Sequence, residues 1–450
     1  MAADSTRQSC PRHPTGYGPQ WNALLAETGW WHSFEMPDGT VIRGVCEVQG
    51  LKDRLAQFPI PEDLRGKRVL DVGAWDGWFS FELERRGAEV TAIDNWDNPR
   101  FHQMHAMLGS KVDYRVMDVY DVSPETVGRF DIVLFMGVLY HLKHPMLALE
   151  NICSVTTELA AIDSYVLPGD LDAQAKPVLE FYESDEFEGN VDNWAAPNLA
   201  CLMAMCRTAG FARVERAQIL TYGAGLSCFR QWPAEVSAKS PVPELLGVIH
   251  NRNGGINFTT KRDQYLTAYV KALPATELNR TNVEPSVGPY GVYPVCVKRL
   301  SEDTWMVNFM LPPGLAPGWH EARIRIHNGP PSRESFRIAV AVPLPDAIPV
   351  IEAVRDAATW KIGELDLSKG DALAIWASGL PENADMANVR AFLNGQPCTT
   401  LFAGAGDEHS SRQVNVRVPS GTAEGPADLT LRVGASPHSG VVGVRLLEKM

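Results

Sequence analysis

The sequence predicts an α/β domain followed by two all-β domains, on three observations. Arg68 to Asp94 reads RVLDVGAWDGWFSFELERRGAEVTAID: an apolar strand, a glycine turn, a helix and a second strand that closes on an acid. Ile132 to Phe135 is wholly apolar, the mark of a strand covered on both faces of a parallel sheet. Beyond Pro233, prolines and glycines punctuate short alternating runs, which is how β-sandwiches read. Together these give a Rossmann-like sheet of seven strands, then immunoglobulin-like sandwiches.

The chain of 450 residues is 45% hydrophobic, enough for several cores. It divides into an N-terminal lid or hairpin segment (1–65), the α/β domain (66–232), a helical connector (233–285) and sandwiches at 286–345 and 346–450. The N-terminus has no apolar stretch of signal-peptide length, and no segment approaches 18 uninterrupted apolar residues, so the expectation is a soluble cytoplasmic protein. Eight cysteines lie scattered without a C-x-x-C pair, which points to reduced thiols rather than a metal site or disulfide framework. Residues 1–232 carry 32 acidic and 20 basic side chains, leaving 12 of the 13 net negative charges on the α/β part. Acidity of this kind argues against nucleic acid as partner, since phosphate neutralisation needs a basic face.

Taken in order, Trp21 to Thr28 reads as a short helix. Trp30 to Phe34 and the turn Pro37-Asp38-Gly39 read as a hairpin whose tryptophans, Trp31 among them, form core or a lid against substrate. Lys52 to Phe58 reads as a helix. In the central unit, Asp71-x-Gly73-x-x-x-Gly77 is the turn between strand and helix. Its glycines let a ligand approach the backbone at a helix N-terminus, and Asp94, 21 residues beyond Gly73, suits the hydroxyls of a ribose. The spacing fits neither the G-x-G-x-x-G loop of nicotinamide dinucleotides nor a P-loop, because Ala74, Trp75 and Trp78 stand where the first would need other residues. Pro99 to Leu108 follows as a helix and Val112 to Met117 as a strand ending at Asp118. After Ile132 to Phe135 the loop opens at Gly137, so Met136, Tyr140 and His141 share a crevice with Gly73, Asp94 and Asn95.

The D-x-G-x-x-x-G loop resembles motif I of class I S-adenosylmethionine-dependent methyltransferases. The string MGVLYH, followed by Lys143 and Pro145, with Asn190-Val191 before Pro197-Asn198 and the later Ala209-Gly210-Phe211, is similar to the tRNA wobble-uridine methyltransferase family over roughly residues 28–232. The resemblance implies S-adenosyl-L-methionine as cofactor. It also implies that Asp118 lies near the adenine amino group and that Tyr140 helps hold a carboxylated cofactor and the site of transfer. That family also uses a lysine in a tryptophan-rich segment before motif I. Lysine is missing beside Trp30 and Trp31, which favours plain methyl transfer.

Ala160 to Tyr165 supplies a fifth strand. The acidic stretch Pro168 to Pro197 reads as a solvated face or as a substrate cover, with Tyr182, Trp194 and Asn198 as acceptor contacts. Leu199 to Thr208 is a helix stopped by Gly210, and strands near Arg213 to Ile219 and Leu226 to Arg230 complete seven. Asp263 to Leu273 reads as an amphipathic helix, with Tyr265, Leu266, Tyr269, Val270 and Leu273 on one face. The sandwiches carry no cluster of catalytic residue types and serve as scaffold, acceptor platform or self-association surface for a homo-oligomer.

Methyl transfer is an in-line displacement that needs alignment more than a catalytic triad. For a hydroxyl acceptor His141 is the best-placed base, with Tyr140 orienting; a loop-bonded structural histidine is the competing reading. Cofactor contacts are assigned to Asp71, Gly73, Ala74, Trp75, Gly77, Asp94, Asn95, Asp118, Met136 and Gly137. No metal cluster is evident. Three functions compete: methylation of a small-molecule or glycan-like acceptor, modification of a tRNA, and ligand binding without catalysis.

Overall fold

The computed structural model describes residues 29–447, apart from 168–171, 188, 221–222, 238, 253–255, 273–275, 334, 343–348, 382–383, 405–410 and 435–437. The helix expected over Trp21 to Thr28 lies outside the described residues. The chain forms two compact units, divided between Gln231 and Trp232.

The first unit begins with a hairpin, β1 (Phe34–Glu35) and β2 (Val41–Ile42), joined across the Pro37–Gly39 turn. Helix α1 (Val48–Leu55) follows, starting four residues earlier than the sequence predicts. Then come β3 (Arg68–Val72), α2 (Trp78–Arg85), β4 (Glu89–Asp94), α3 (Pro99–Leu108) and β5 (Asp113–Val116). The remainder is β6 (Phe130–Met136), α4 (Pro145–Val155), β7 (Thr156–Tyr165), the ribbon β8 (Leu179–Phe181) and β9 (Ala195–Pro197), α5 (Leu199–Thr208), β10 (Arg213–Leu220) and β11 (Gly223–Phe229). Helix ends are set by local chemistry. Asn98 accepts the Arg100 N–H ahead of Pro99, whose missing donor and fixed φ suit a first turn, and Gly109 ends α3 at φ 62°.

Seven strands form one sheet in the order β10-β11-β7-β6-β3-β4-β5, with β11 antiparallel to both of its neighbours. The strand order reverses between β3 and β6, and their carboxyl ends open a crevice there. Val133, Leu134 and Phe135 of β6 are fully buried, each worth about 1.5–3 kcal/mol. The sheet has a core on each face. Trp30, Trp31, Leu51 and Leu55 join α2 and α3 on one side, and α4 and α5 cover the other. The described part of the N-terminal segment, from Trp30 to Leu64, thus contributes to the core.

The second unit corrects the domain reading. Tyr265–Lys271 is a strand, β14, and not a helix, and 233–285 is no helical connector. With β12 (Glu244–His250), β13 (Asn257–Phe258), β15 (Val283–Val287), β16 (Tyr290–Gly291), β17 (Pro294–Arg299), β18 (Thr304–Met310), β19 (Gly318–Ile326) and β20 (Phe336–Val340) it builds the first sandwich. Leu266, Ala268 and Val270 alternate inward, so the run satisfies period 2 as well as period 3.6. Pairing with β12 and β18 on either side decides between them. The second sandwich holds β21 (Val350–Asp356), β22 (Glu364–Asp366), β23 (Ala372–Ser378), β24 (Val389–Leu393), β25 (Gln396–Pro397), β26 (Thr399–Ala403), β27 (Arg412–Arg417), β28 (Gly425–Val433) and β29 (Val442–Leu447).

The two sandwiches are topological copies. The first has sheets β12-β14-β18-β17 and β13-β20-β19-β15-β16; the second has β21-β23-β27-β26 and β22-β29-β28-β24-β25, which is the same order nine strands later. Even the bulge in the first strand recurs, between Leu245 and Gly247 and between Ile351 and Ala353. Each sandwich encloses its own core.

One cysteine departs from the expected reduced thiols: Cys46 is disulfide-bonded, whereas the other six described cysteines are free. No described helix is long and apolar enough to cross a membrane, and no group of metal-ligating side chains occurs among the described residues.

Candidate active site

A cavity of about 380 Å³ lies at the carboxyl ends of β3, β4 and β6. Its floor is the glycine turn. Gly73 has φ 75°, and a Cβ there would collide with Val138 across the crevice, so the close approach of the two loops requires glycine. Gly77 caps α2 at φ 93°, and a side chain there would strike Phe81 and Phe101. Trp75 holds the left-handed conformation at φ 53°, which for a bulky residue costs on the order of 1 kcal/mol. The neighbours hold it there: its N–H donates to Asp94 Oδ2 at 2.9 Å, and its ring packs 5.6 Å from Trp96. Trp75 thus stands at a position glycine would fill at no cost and walls the cavity instead.

Four carboxylates face or underlie this space. Asp71 is buried at the end of β3, accepts the Ser80 hydroxyl at 2.6 Å, and is pushed up to about 6 by burial. Asp94 closes β4 and is raised by burial against the backbone N–H groups that it accepts. Asp118 accepts the Tyr120 N–H at 2.9 Å, and Asp192 lies across the mouth. Asn95, Met136 and Gly137, predicted from sequence, also line the cavity, as does Trp31.

His141 also lines the cavity, and its Nδ1 lies 3.1 Å from the Asp192 carbonyl oxygen. A carbonyl only accepts, so Nδ1 carries the proton and Nε2 keeps its lone pair. Burial lowers the imidazole to about 4, which keeps it neutral at physiological pH.

Other predicted residues lie elsewhere. Tyr140 is buried against Tyr165, Phe187 and Ala196 and does not line the cavity. Ala74 and Gly77 shape the turn from behind. Asn198, expected to contact the acceptor, is instead the buried cap of α5: it accepts the Cys201 N–H and donates to the Lys176 carbonyl. Tyr182 bonds Glu180 and stacks on Phe187, and Trp194 packs under Lys143 at 4.2 Å. Both belong to the β8–β9 ribbon, which the Trp194 N–H ties to the Tyr140 carbonyl at 2.8 Å.

Two lining residues, Arg54 and His32, were missed, and with them their buried partners Asp163 and Asp76. Arg54 of α1 lines the cavity and donates to buried Asp163 of β7 at 3.1 and 3.3 Å, with Phe79 under its guanidinium. His32 pairs with buried Asp76, which also accepts the Trp31 and His32 N–H groups at 2.9 Å. The sequence held a signal for Arg54. With Leu51, Leu55 and Phe58 it occupies the i, i+3, i+4, i+7 face of a helix, and a charge on an apolar face has a buried partner.

Residues 46–166 match the family described as a methyltransferase domain. The tRNA U34 carboxymethyltransferase of Pseudomonas syringae pv. tomato is 32% identical over 159 residues, which is 34% of this chain and 48% of that protein. The ubiquinone biosynthesis O-methyltransferase of Azotobacter vinelandii is 43% identical over 86 residues, 18% of this chain and 36% of that protein. The chain thus spans about half the length, or less, of these curated relatives. Among solved structures, the Burkholderia thailandensis 1,6-didemethyltoxoflavin-N1-methyltransferase with bound S-adenosylhomocysteine is 19% identical with a TM-score of 0.29, covering 37% of this chain and 71% of that one. The first unit thus contains the match to a methyltransferase domain.

Proposed function

We propose that the chain transfers a methyl group from S-adenosyl-L-methionine to a hydroxyl, thiol or other nucleophile of a small-molecule or glycan-like acceptor. The observation that carries this is one cavity lined by Asp94 and Asp118 at the strand ends and by the imidazole of His141. Bound there, the cofactor supplies an electrophilic methyl on a sulfonium. Asp94 accepts the ribose hydroxyls, Asp118 stands toward the adenine, and Arg54, fixed by Asp163, presents a cation to the amino-acid carboxylate. The carboxylates favour a cationic ligand over the neutral sulfide left after transfer, which assists release.

His141 receives the proton of a hydroxyl acceptor. A base near 4 is too weak to ionise an alcohol beforehand, but it suffices once the new bond to oxygen has begun to form and the proton has become acidic. Trp31 and Phe79 exclude water from this end. A cytoplasmic location belongs to the same proposal: six described thiols are free, whereas the disulfide at Cys46 points the other way. Calorimetry with S-adenosylhomocysteine tests the reading: micromolar binding to the wild type supports it, and lack of binding to a folded chain removes it.

One alternative has a specific observation behind it, the MGVLYH string with the 32% identity to tRNA U34 carboxymethyltransferases. Against it stand the acidity of residues 1–232 and the absent lysine. Salt-sensitive, sub-micromolar filter binding of tRNA, or label from methyl-labelled cofactor in wobble uridine, selects it over the small-molecule reading.

A further inference from the structure

The second sandwich carries an aromatic surface that its fold does not require. On the outer face of the sheet β21-β23-β27-β26, Trp376 of β23 lies opposite Ala353 and Gln413, and Ala374 lies opposite Arg355 and Asn415. Phe402 of β26 stands beside Asn415 on the same face. Trp360, from the turn after β21, packs 5.8 Å from Trp376. Trp360 is 52% exposed and Phe402 46%. Gln413 donates to Asn415 at 2.9 Å, and Arg355 leans over the Trp376 ring.

The first sandwich is the control. At the place of Trp376 it has Tyr269, opposite Gly247 and Met306, and at the places of Ala374 and Asn415 it has Thr267 and Asn308, which bond to each other at 2.9 Å. The same nine-strand topology therefore forms without paired tryptophans. Trp360 also holds φ 61°, a left-handed conformation that bulky side chains rarely adopt. A large exposed indole kept in such a backbone serves something other than the core.

We propose that this face binds a neutral saccharide chain. Trp360 is open rather than set in a socket and packs on the half-buried Trp376, so the pair suits a flat ligand rather than a side-chain anchor. The electron-rich faces of aromatic rings attract the weakly positive C–H groups of a pyranose. Beside them the Gln413 and Asn415 amides, each with donors and an acceptor, and the Arg355 fork match the paired hydroxyls that flank such C–H faces. The face belongs to the second unit and shares no residue with the methyltransferase cavity, so the inference stands whether or not that site's reading holds. On this reading the second sandwich holds a glycan on the same chain as the methyltransferase domain.

Affinity electrophoresis of the full chain through gels containing soluble β-glucan, xylan, mannan or starch tests it. At least one polysaccharide should retard the wild type. Trp360→Ala and Trp376→Ala should each weaken that retardation tenfold or more, while Tyr269→Ala in the sister module leaves it unchanged. A thermal melt that keeps the β-sandwich transition of the wild type confirms that the second unit of each variant folds. Failure of all four polysaccharides to retard the wild type overturns the proposal, as does equal retardation of the tryptophan variants. If the exposed indoles are instead a seam between two copies of the chain, Trp360→Ala will halve the mass in sedimentation and no gel will retard the protein, which also overturns it.

Discussion

Arg54→Gln is the most informative single change at the methyltransferase cavity, because Arg54 has two separable roles. It holds Asp163, whose carboxyl is fully buried, and it lines the cavity. Loss of the first role leaves a buried carboxylate without its cation, a destabilisation of about 3–5 kcal/mol. Loss of the second removes a charge-assisted contact to the amino-acid carboxylate of the cofactor, about 1.5–3 kcal/mol, or roughly tenfold to a hundredfold in affinity. Two ligands separate the effects. S-adenosylhomocysteine carries the amino-acid carboxylate, whereas 5′-methylthioadenosine has the same adenosine and sulfur without it. In calorimetry the variant should lose affinity for the first by that factor and keep affinity for the second within about twofold. Because the single variant is the more fragile, Arg54→Gln with Asp163→Asn, which removes both charges together, repeats the measurement in a sounder fold. If both ligands weaken equally in a folded variant, or neither weakens, Arg54 is only a strut between α1 and β7 and the assigned carboxylate contact is wrong.

Asp94→Ala should cost both ligands about 1.5–3 kcal/mol, since the ribose hydroxyls are common to them; calorimetry showing unchanged affinity with an intact fold would refute the ribose assignment. Asp71 is held at about 6, above its ordinary value, so the native state binds more protons than the unfolded chain between about pH 4 and 6 and loses stability as pH rises through that window. Asp71→Asn should accordingly stabilise the fold at pH 7.5 by up to roughly 3 kcal/mol, read as a higher melting temperature, and change it little at pH 4; thermal melts showing no such pH difference count against the buried charge. A fragment ending at Gln231 should fold and bind S-adenosylhomocysteine, because each unit has its own core, whereas one ending at residue 275 keeps β12 and β14 without β18 and should aggregate; light scattering and calorimetry on the pair decide it.

The α/β sheet was legible because its strands and helices differ in period and are separated by glycines whose conformation the turn demands. Gly73 and Gly77 need positive φ and have no room for a Cβ, so their spacing alone marks the turn. Tyr265–Lys271 was misread for the opposite reason. Its apolar residues fit a helical face and an alternating strand equally well, and the deciding fact is β18, whose pairing partner lies about 40 residues further on. Local pattern holds no trace of such a partner. The duplication of the sandwiches was likewise hidden, since their repeated order is a property of hydrogen bonding rather than of recognisable sequence.

In the cavity, lining residues placed by backbone geometry were readable and those held by buried charge were not. Asp94 and Gly73 belong to one continuous segment, so their spacing specifies their meeting. Arg54 and Asp163 are 109 residues apart, and each looks ordinary alone. Each nevertheless breaks a local pattern. Arg54 interrupts the apolar face of α1, and Asp163 interrupts Ala160, Ala161 and Ile162 in a strand buried on both sides. A lone charge in either setting is too costly to persist unpaired, so two such violations in one domain imply each other. Tyr140 and Asn198 illustrate the converse. Both sit in strings that resemble a known family, yet one is core and the other a helix cap, because residues that set a loop's shape recur beside those that touch a ligand. The burial of a charge against the pattern of its own element is therefore a second guide to this cavity, beside the MGVLYH string whose Met136, Gly137 and His141 line it.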